Sequence, residues 1–403
     1  MLMKKLFAFI IIVFTLCFGF SFNVYGAENS DLSSESEEII QFKDEISDGL
    51  EQITDDDVND VLKDNDISLK DPASVSNISF GTVIDKLLSY FTDSLKKPII
   101  MLGKILAIIL LCAIAQNIAI SGSSLTKTFN TMGILATITV MYETVSVTIE
   151  TVQQALTRLS EFMISYVPIF SSVTAVGGSV SASGSYYAMT LIACEIIGLV
   201  GNNIIMPFLS IVMAISLVSA INPNLQFSGA AESIKKACQW ILGGVTTLFV
   251  GMLSIQGIAG SASDSLITRT AKFAASSFIP IIGGAVSEAY STLYGSIGVI
   301  RTGVGTIGII AILIMVLKPI IAIIAAKFSI SLAQIISGIF GQKESCEFLK
   351  STNAVLSIGL SVVICFSLIF IISTAVLMLM AMNLNWQMTV YNWQLYTQKN
   401  YRG

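Results

Sequence analysis

The chain has 403 residues, of which 54% are hydrophobic and only 12% charged, and its mean hydropathy is +0.78. Soluble globular domains usually carry about 25% charged residues, so this composition excludes an ordinary soluble enzyme and indicates an integral membrane protein. The formal net charge is −5 and no basic patch is present, which argues against nucleic-acid binding.

The first 27 residues have the pattern of a secretory signal peptide. Lys4 and Lys5 form a basic start, residues 6–22 are apolar, and small residues at Gly26 and Ala27 suit cleavage. An uncleaved membrane anchor is the alternative interpretation. In both cases, we expect residues 28–97 to lie outside the cytoplasm.

Residues 28–97 form an acidic segment with 18 acidic and 6 basic residues. Apolar residues at helical 3/4 spacing from Ile39 to Ile53 and from Phe80 to Leu95 predict two short amphipathic helices. Such helices bury little apolar area alone. We therefore expect them to dock on the membrane surface, on each other or on a partner.

One pattern in this acidic segment resembles the start of a calcium-binding loop. Asp55, Asp57 and Asn59 alternate as oxygen ligands would, but Asp60 stands where the loop needs glycine. An acidic helix start with Thr54 as its N-cap explains the pattern better.

The membrane domain is predicted over residues 98–382, with several apolar helices. Pro98 is placed at the first helical position of the first span, where its missing N–H has no cost. Residues 162–185 begin apolar and become rich in Gly and Ser, which predicts a broken or re-entrant helix, and residues 186–220 suit two helices hinged at 201–203. The other spans are predicted near 99–120, 129–149, 238–258, 304–336 and 354–382. Residues 383–403 form an aromatic tail suited to the membrane interface.

An internal repeat of about 110 residues is predicted. Pro168 and Pro280 lie 112 residues apart in similar contexts. Pro207 and Pro319, each of which is predicted to open an apolar helix, are also 112 residues apart. The repeat units would be about 98–206, 207–318 and a partial 319–382, although chance likeness between apolar segments is the alternative. Transporter-type folds often place a pathway between such repeats, so Pro168 and Pro280 are candidates for paired functional elements.

Charged residues inside the apolar segments are candidates for a pathway. Charges at membrane depth are costly and usually face the interior of a bundle or a cavity. They are Lys104, Glu143, Glu195, Glu288, Arg301, Lys318 and Lys327. Glu143 and Glu195 are the most deeply placed of them, and Lys318 lies next to Pro319. The alternative is that these charges lie at helix ends or form structural ion pairs.

The glycines of Gly303-x-Gly305-x-x-Gly308 match the dinucleotide-binding fingerprint, but they lie in an apolar run without the required strand. Helix packing by small residues explains them better. The chain has no histidine, no Cys-x-x-Cys pair and no Walker A motif or nucleophile elbow. We therefore expect no catalytic residues, no cofactor and no metal, and an all-α polytopic fold with a small helical exported segment.

The chain resembles the stage III sporulation protein AE family of endospore-forming bacteria. Two stretches carry the resemblance, Val167-Pro168-Ile169 followed by Gly177-Gly178, and Arg269-Thr270-Ala271-Lys272-Phe273-Ala274 followed by Phe278-Ile279-Pro280. The family has no assigned catalytic residues that could be carried over, so the candidate pathway or structural residues rest on the patterns in this sequence. They are Glu143, Pro168, Gly177, Gly178, Glu195, Pro207, Arg269, Lys272, Pro280, Lys318 and Pro319.

The resemblance implies a multi-pass protein of the mother-cell membrane around the forespore. It implies a non-enzymatic role in a channel or secretion-like complex that supports forespore development. The implied partners are other proteins of the same sporulation operon, including a secretion-type ATPase and ring-forming proteins, and indirectly a forespore membrane protein. The chain would serve as conduit or platform in this complex. A secondary transporter or ABC-type permease subunit for a small solute is the rival function.

Overall fold

The computed structural model describes residues 37–64, 74, 80–118, 124–221, 229–230, 232–253, 255 and 283–400. These residues form helices without a strand. The helices are α1 (Glu37–Ile53), α2 (Asp56–Asp64), α3 (Phe80–Ile118), α4 (Ser124–Val176), α5 (Val180–Gly198), a π-helical segment (Leu199–Ile205), α6 (Met206–Ile221), α7 (Glu232–Leu253), α8 (Gly283–Ile339) and α9 (Lys343–Asn400).

Six helical stretches in the described part of the chain are long and apolar enough to cross a membrane. They are Thr92–Ala115, Thr131–Val176, Val180–Ile221, Glu232–Leu253, Ile297–Ile339 and Lys343–Met378. This confirms the predicted all-α, multi-span fold. Helices α4, α8 and α9 have 53, 57 and 58 residues, whereas about 20 residues cross a hydrocarbon core of about 30 Å. The longest helices therefore extend beyond one hydrocarbon core or cross it obliquely.

Helices α8 and α9 form the centre of the bundle. Their apolar windows are 61% and 72% buried, compared with 22–33% for the other four candidate spans. Helices α3 and α4 pack against α8, while α4, α5 and α6 pack against α9. The inner pair can be apolar all round because protein surrounds it.

The glycine pattern lies inside α8, where it serves helix packing as predicted. A Cβ atom at Gly305 would lie 2.5 Å from Sδ of Met378 in α9 and 3.0 Å from Cζ of Phe170 in α4, and a Cβ at Gly308 would overlap the ring of Tyr166. The missing side chains therefore allow α4 and α9 to approach α8 closely.

The acidic N-terminal helices dock on the membrane body of the same chain. Helix α1 packs on α4 and α2 on α8, with Ile46 and Leu50 of the predicted apolar face buried. We expected docking on the membrane surface, on each other or on a partner, and the structure adds this chain's own bundle as a docking site. The second predicted amphipathic helix is not separate, because the residues from Phe80 onward form the first part of α3.

The predicted N-cap at Thr54 is wrong. Helix α2 begins at Asp56, and the carbonyl of Asp55 accepts hydrogen bonds from the N–H groups of Val58 and Asn59, each 2.9 Å long. The hydroxyl of Thr54 instead lies 2.9 Å from the carbonyl oxygen of Leu50 and 2.7 Å from Oδ1 of Asn59. Thr54 thus ties the end of α1 to α2.

Prolines lie within helices that they were predicted to begin. Pro98 is inside α3 and Pro319 is inside α8, so the prediction that each opens an apolar helix is wrong. Pro168 likewise lies inside α4, which runs unbroken through the polar residues 150–161. Neighbouring helices and hydroxyl side chains can satisfy the backbone groups that proline frees in a membrane helix.

The predicted interruption within residues 162–185 is a tight turn at Gly177–Ser179. The N–H of Gly177 bonds the carbonyl of Val173 at 3.1 Å, and that of Ser179 bonds the carbonyl of Thr174 at 3.2 Å. Gly178 has a φ of +82°, a conformation that glycine adopts at little steric cost. The hinge predicted at 201–203 is instead a π-helical segment that joins α5 to α6 without a break.

At the Gly177–Ser179 turn, the helices do not follow the predicted 112-residue repeat. An offset of 112 residues places the equivalent of Gly177–Ser179 at residues 289–291, inside the continuous helix α8. Ala289 and Tyr290 stand there in place of the two glycines, and neither favours a positive φ. Most of residues 222–282 lie outside the described residues, so the repeat stays a prediction.

Candidate functional site

The two predicted pathway glutamates lie on the outside of the bundle. Glu143 on α4 and Glu195 on α5 are both exposed, whereas the pathway hypothesis expected them to face the interior or a cavity. A pathway role for these carboxylates would therefore need a surface completed by another protein chain.

The remaining candidates do not converge on one site. Pro168 and Pro207 are exposed, and Pro319 is buried. Lys318 is exposed, and its Nζ lies 5.8 Å from the centre of the Tyr90 ring in α3, within the range of a cation–π interaction. Arg269, Lys272 and Pro280, as well as the predicted signal peptide, lie outside the described residues, and so do the side chains of the aromatic tail.

The turn between α4 and α5 meets a buried arginine. Arg301 of α8 is 2% exposed, and its Nη1 would lie 3.2 Å from a Cβ atom on Gly177. The carbonyl end of α4 carries partial negative charge, which suits a guanidinium group at this position. Gly177 and Arg301 are thus packed together, and a side chain at residue 177 would compete with Arg301 for space.

A second buried cation lies between α8 and α9. Lys327 is 7% exposed. Its ammonium group donates hydrogen bonds to the carbonyl oxygen of Asn353 at 3.1 Å, to Oδ1 of Asn353 at 2.5 Å and to Oγ of Ser357. The Nδ2 of Asn353 then donates to Oγ of Ser331 in α8 at 2.7 Å. All three ammonium protons therefore have uncharged acceptors.

This network continues to the outer helix α7. The hydroxyl of Ser361 donates to the carbonyl of Ser357 at 2.9 Å, and Nε2 of Gln239 in α7 donates to Oγ of Ser361 at 3.3 Å. We call this group of residues the polar seam, comprising Gln239, Lys327, Ser331, Asn353, Ser357 and Ser361. Within the part of the chain that the structure describes, no carboxylate forms an ion pair with Lys327.

Sequence reasoning noted Lys327 as a charge in an apolar segment but did not select it, and it missed the rest of the polar seam. The one available signal was the i, i+4, i+8 spacing of Asn353, Ser357 and Ser361, which places them on one helical face. Single hydroxyl residues are frequent between membrane helices, so this spacing alone could not separate a functional group from ordinary packing.

The polar seam offers positive charge and neutral hydrogen-bonding groups. Such a set can hold α8 and α9 together, since an unpartnered polar group in an apolar interior is costly. It can also attract an anion, because the ammonium charge of Lys327 is not cancelled by a neighbouring carboxylate.

Comparison with known proteins then decides the family. The profile described as Stage III sporulation protein AE matches residues 69–381, well over half of the chain. The chain belongs to this family. The matched region contains α3 to α9 almost completely and omits α1 and α2. The predicted resemblance is confirmed.

A curated relative in the family is similar to part of the chain. Stage III sporulation protein AE of Bacillus subtilis (strain 168) is 23% identical over 235 residues. That alignment covers 58% of this chain and 59% of the relative, so less than two thirds of the relative is matched. No solved structure matches the chain. The family is one of stage III sporulation proteins, and the described part of this member has six helical stretches suited to crossing a membrane.

Proposed function

We propose that this chain is a non-enzymatic membrane component of the channel or secretion-like complex that links mother cell and forespore, and that forespore development requires it. The family match over residues 69–381 carries this proposal, because it includes the six candidate spans found among the described residues. The sporulation stage in the family description supports a role in spore formation.

We place the chain in the mother-cell membrane around the forespore, with the acidic segment outside the cytoplasm. The outward faces of α1 and α2 are strongly acidic, and six carboxylates on them are exposed: Asp44, Glu45, Asp48, Glu51, Asp60 and Asp64. Such a face needs water, because charges in hydrocarbon are costly. Since α1 and α2 dock along α4 and α8, the adjoining parts of these two long helices also lie outside the hydrocarbon core.

This arrangement gives the protein two surfaces for partners in the complex. One is the acidic face of α1 and α2. The other is a polar face of α4 whose exposed residues recur at helical spacing: Glu143, Ser146, Glu150, Gln154, Glu161, Ser165 and Ser172. Polar residues on the outside of a span are expected to face protein or water. The partners in this proposal are proteins of the same sporulation operon, including a secretion-type ATPase and ring-forming proteins, and indirectly a forespore membrane protein.

Deletion of the gene in its native host, with complementation by a tagged full-length copy, tests the proposal. We expect engulfed forespores that arrest or shrink in the deletion strain, recovery with the tagged copy, and co-purification of the operon proteins and the ATPase. Normal sporulation together with a defect in uptake of a small solute would overturn the proposal and favour a transporter or ABC-type permease subunit.

A further inference from the structure

We propose that the polar seam is a hydrated passage between α7 and the α8–α9 pair, and that Lys327 at its buried centre makes it attract small anions and repel cations. The inference concerns one chain and does not depend on the proposed complex. It would hold or fail even if the deletion experiment identified a different cellular role.

Continuity of the hydrogen bonds is the first argument. Gln239 contacts Ser361, Ser361 contacts Ser357, Ser357 contacts Lys327, and Lys327 contacts Asn353, which contacts Ser331. Asn353 and Ser361 are eight residues apart on α9, which corresponds to about 12 Å along the helix axis. Each serine hydroxyl oxygen in this row can accept one hydrogen bond more than it accepts within the row, so water molecules can join the row.

The pattern of exposure is the second argument. Lys327 and Ser357 are 7% and 6% exposed, whereas Gln239, Ser361, Asn353 and Ser331 are each partly exposed. All of them belong to candidate membrane spans. Polar groups that open towards the outside of a span are costly against lipid and are tolerated where they line water. A polar row that is buried in the middle and open at both ends is therefore best explained by water in the seam.

The charge distribution supplies the preference for anions. The ammonium group of Lys327 is bound only by uncharged oxygens in the described part of the chain. Lys235 of α7, one turn before Gln239, also acts electrostatically on Lys327, but it pairs with Glu232 at 3.2 Å. The seam therefore has one uncompensated positive charge in a low-dielectric setting, where it acts strongly on a passing ion.

Reactivity of a cysteine at residue 361 tests this inference. Ser361→Cys would be made in the full-length protein after replacement of the native cysteines, and native membranes would be treated with two methanethiosulfonates. One reagent carries a sulfonate and the other a trimethylammonium group. We expect the anionic reagent to react about tenfold faster after correction for their intrinsic rates, which corresponds to about 1.4 kcal/mol.

Matched variants assign that preference to Lys327. The ratio of rates should approach one in Lys327→Gln and should persist in Lys327→Arg, which keeps the charge. Gln52→Cys, an exposed position on the water-facing helix α1, should react at a rate that does not depend on residue 327. Val363→Cys, which is 1% exposed on α9, should not react.

Two outcomes would overturn the inference. If Ser361→Cys stays unreactive while Gln52→Cys reacts, the seam is a dry contact between helices. If both reagents react equally at residue 361 with Lys327 intact, the seam admits water without a preference for anions. Because this comparison uses the natural lysine, it remains decisive even when Lys327→Gln fails to fold.

Discussion

The phenol of Tyr166 in α4 donates a hydrogen bond to the backbone carbonyl of Val304 in α8, with a donor–acceptor distance of 3.1 Å. The Tyr166 ring stacks between Phe162 and Phe170, with centroid distances of 5.3 and 5.5 Å. This aromatic ridge lies against the glycines of α8 at 305 and 308. Large residues on one helix and missing side chains on the other thus fix how α4 packs on the central pair.

Gly308→Ala should destabilise the bundle, because the added methyl group would overlap the Tyr166 ring. Overpacking of this kind costs about 1–3 kcal/mol, so we expect a lower midpoint of thermal unfolding in detergent. Gly338→Ala on the same helix is the control, since a Cβ there meets nothing within 4 Å and alanine favours helix. Equal midpoints for the two variants would contradict the packing described.

The loss of stability on substituting Gly178 should come from its backbone conformation rather than from crowding by neighbouring atoms. Its φ is +82°, and a non-glycine residue in the left-handed region costs about 1–2 kcal/mol. We expect Gly178→Ala to lower the thermal midpoint and Gly178→Asn to lower it less, because asparagine tolerates this region. If asparagine proves as damaging as alanine, the cause lies in packing against the turn and not in φ.

Leu50→Asp should release α1 from the bundle without unfolding it. Leu50 is 1% exposed against the core, and its burial contributes about 1.5–3 kcal/mol. Hydrogen exchange of the full-length protein should become faster over residues 37–53, while α8 and α9 stay protected. Ile40→Asp is the matched control, because Ile40 is 46% exposed. Faster exchange in both variants, or in neither, would argue against docking through this face.

Glu143→Gln and Glu195→Gln should leave the stability of the isolated chain nearly unchanged. Both side chains are exposed, and surface substitutions usually change stability by less than about 0.5 kcal/mol. We expect equal thermal midpoints but reduced co-purification of partner proteins, because these carboxylates lie on the outside of candidate spans. A lower midpoint would show that these carboxylates stabilise the fold. Undiminished co-purification would show that they do not contribute to partner binding.

The fold class could be predicted because hydropathy acts locally. A helix long and apolar enough to cross a membrane is recognised from its own residues, and the spans near 304–336 and 354–382 lie within α8 and α9. Helix ends were harder to place. Proline at Pro98 and Pro319 suggested helix starts from local preference, yet the surrounding bundle keeps both helices continuous.

The candidate site shows the same division between local and distant effects. The sequence by itself determined an all-helical multi-span protein with an acidic N-terminal segment, a break near Gly177 and Gly178, and a glycine face on α8, because composition, spacing and φ preference depend on neighbouring residues. Only the tertiary structure decided which charges face inward. It turned Glu143 and Glu195 outward and buried Arg301 and Lys327, because the rotation of each helix depends on the packing of distant segments rather than on its own sequence.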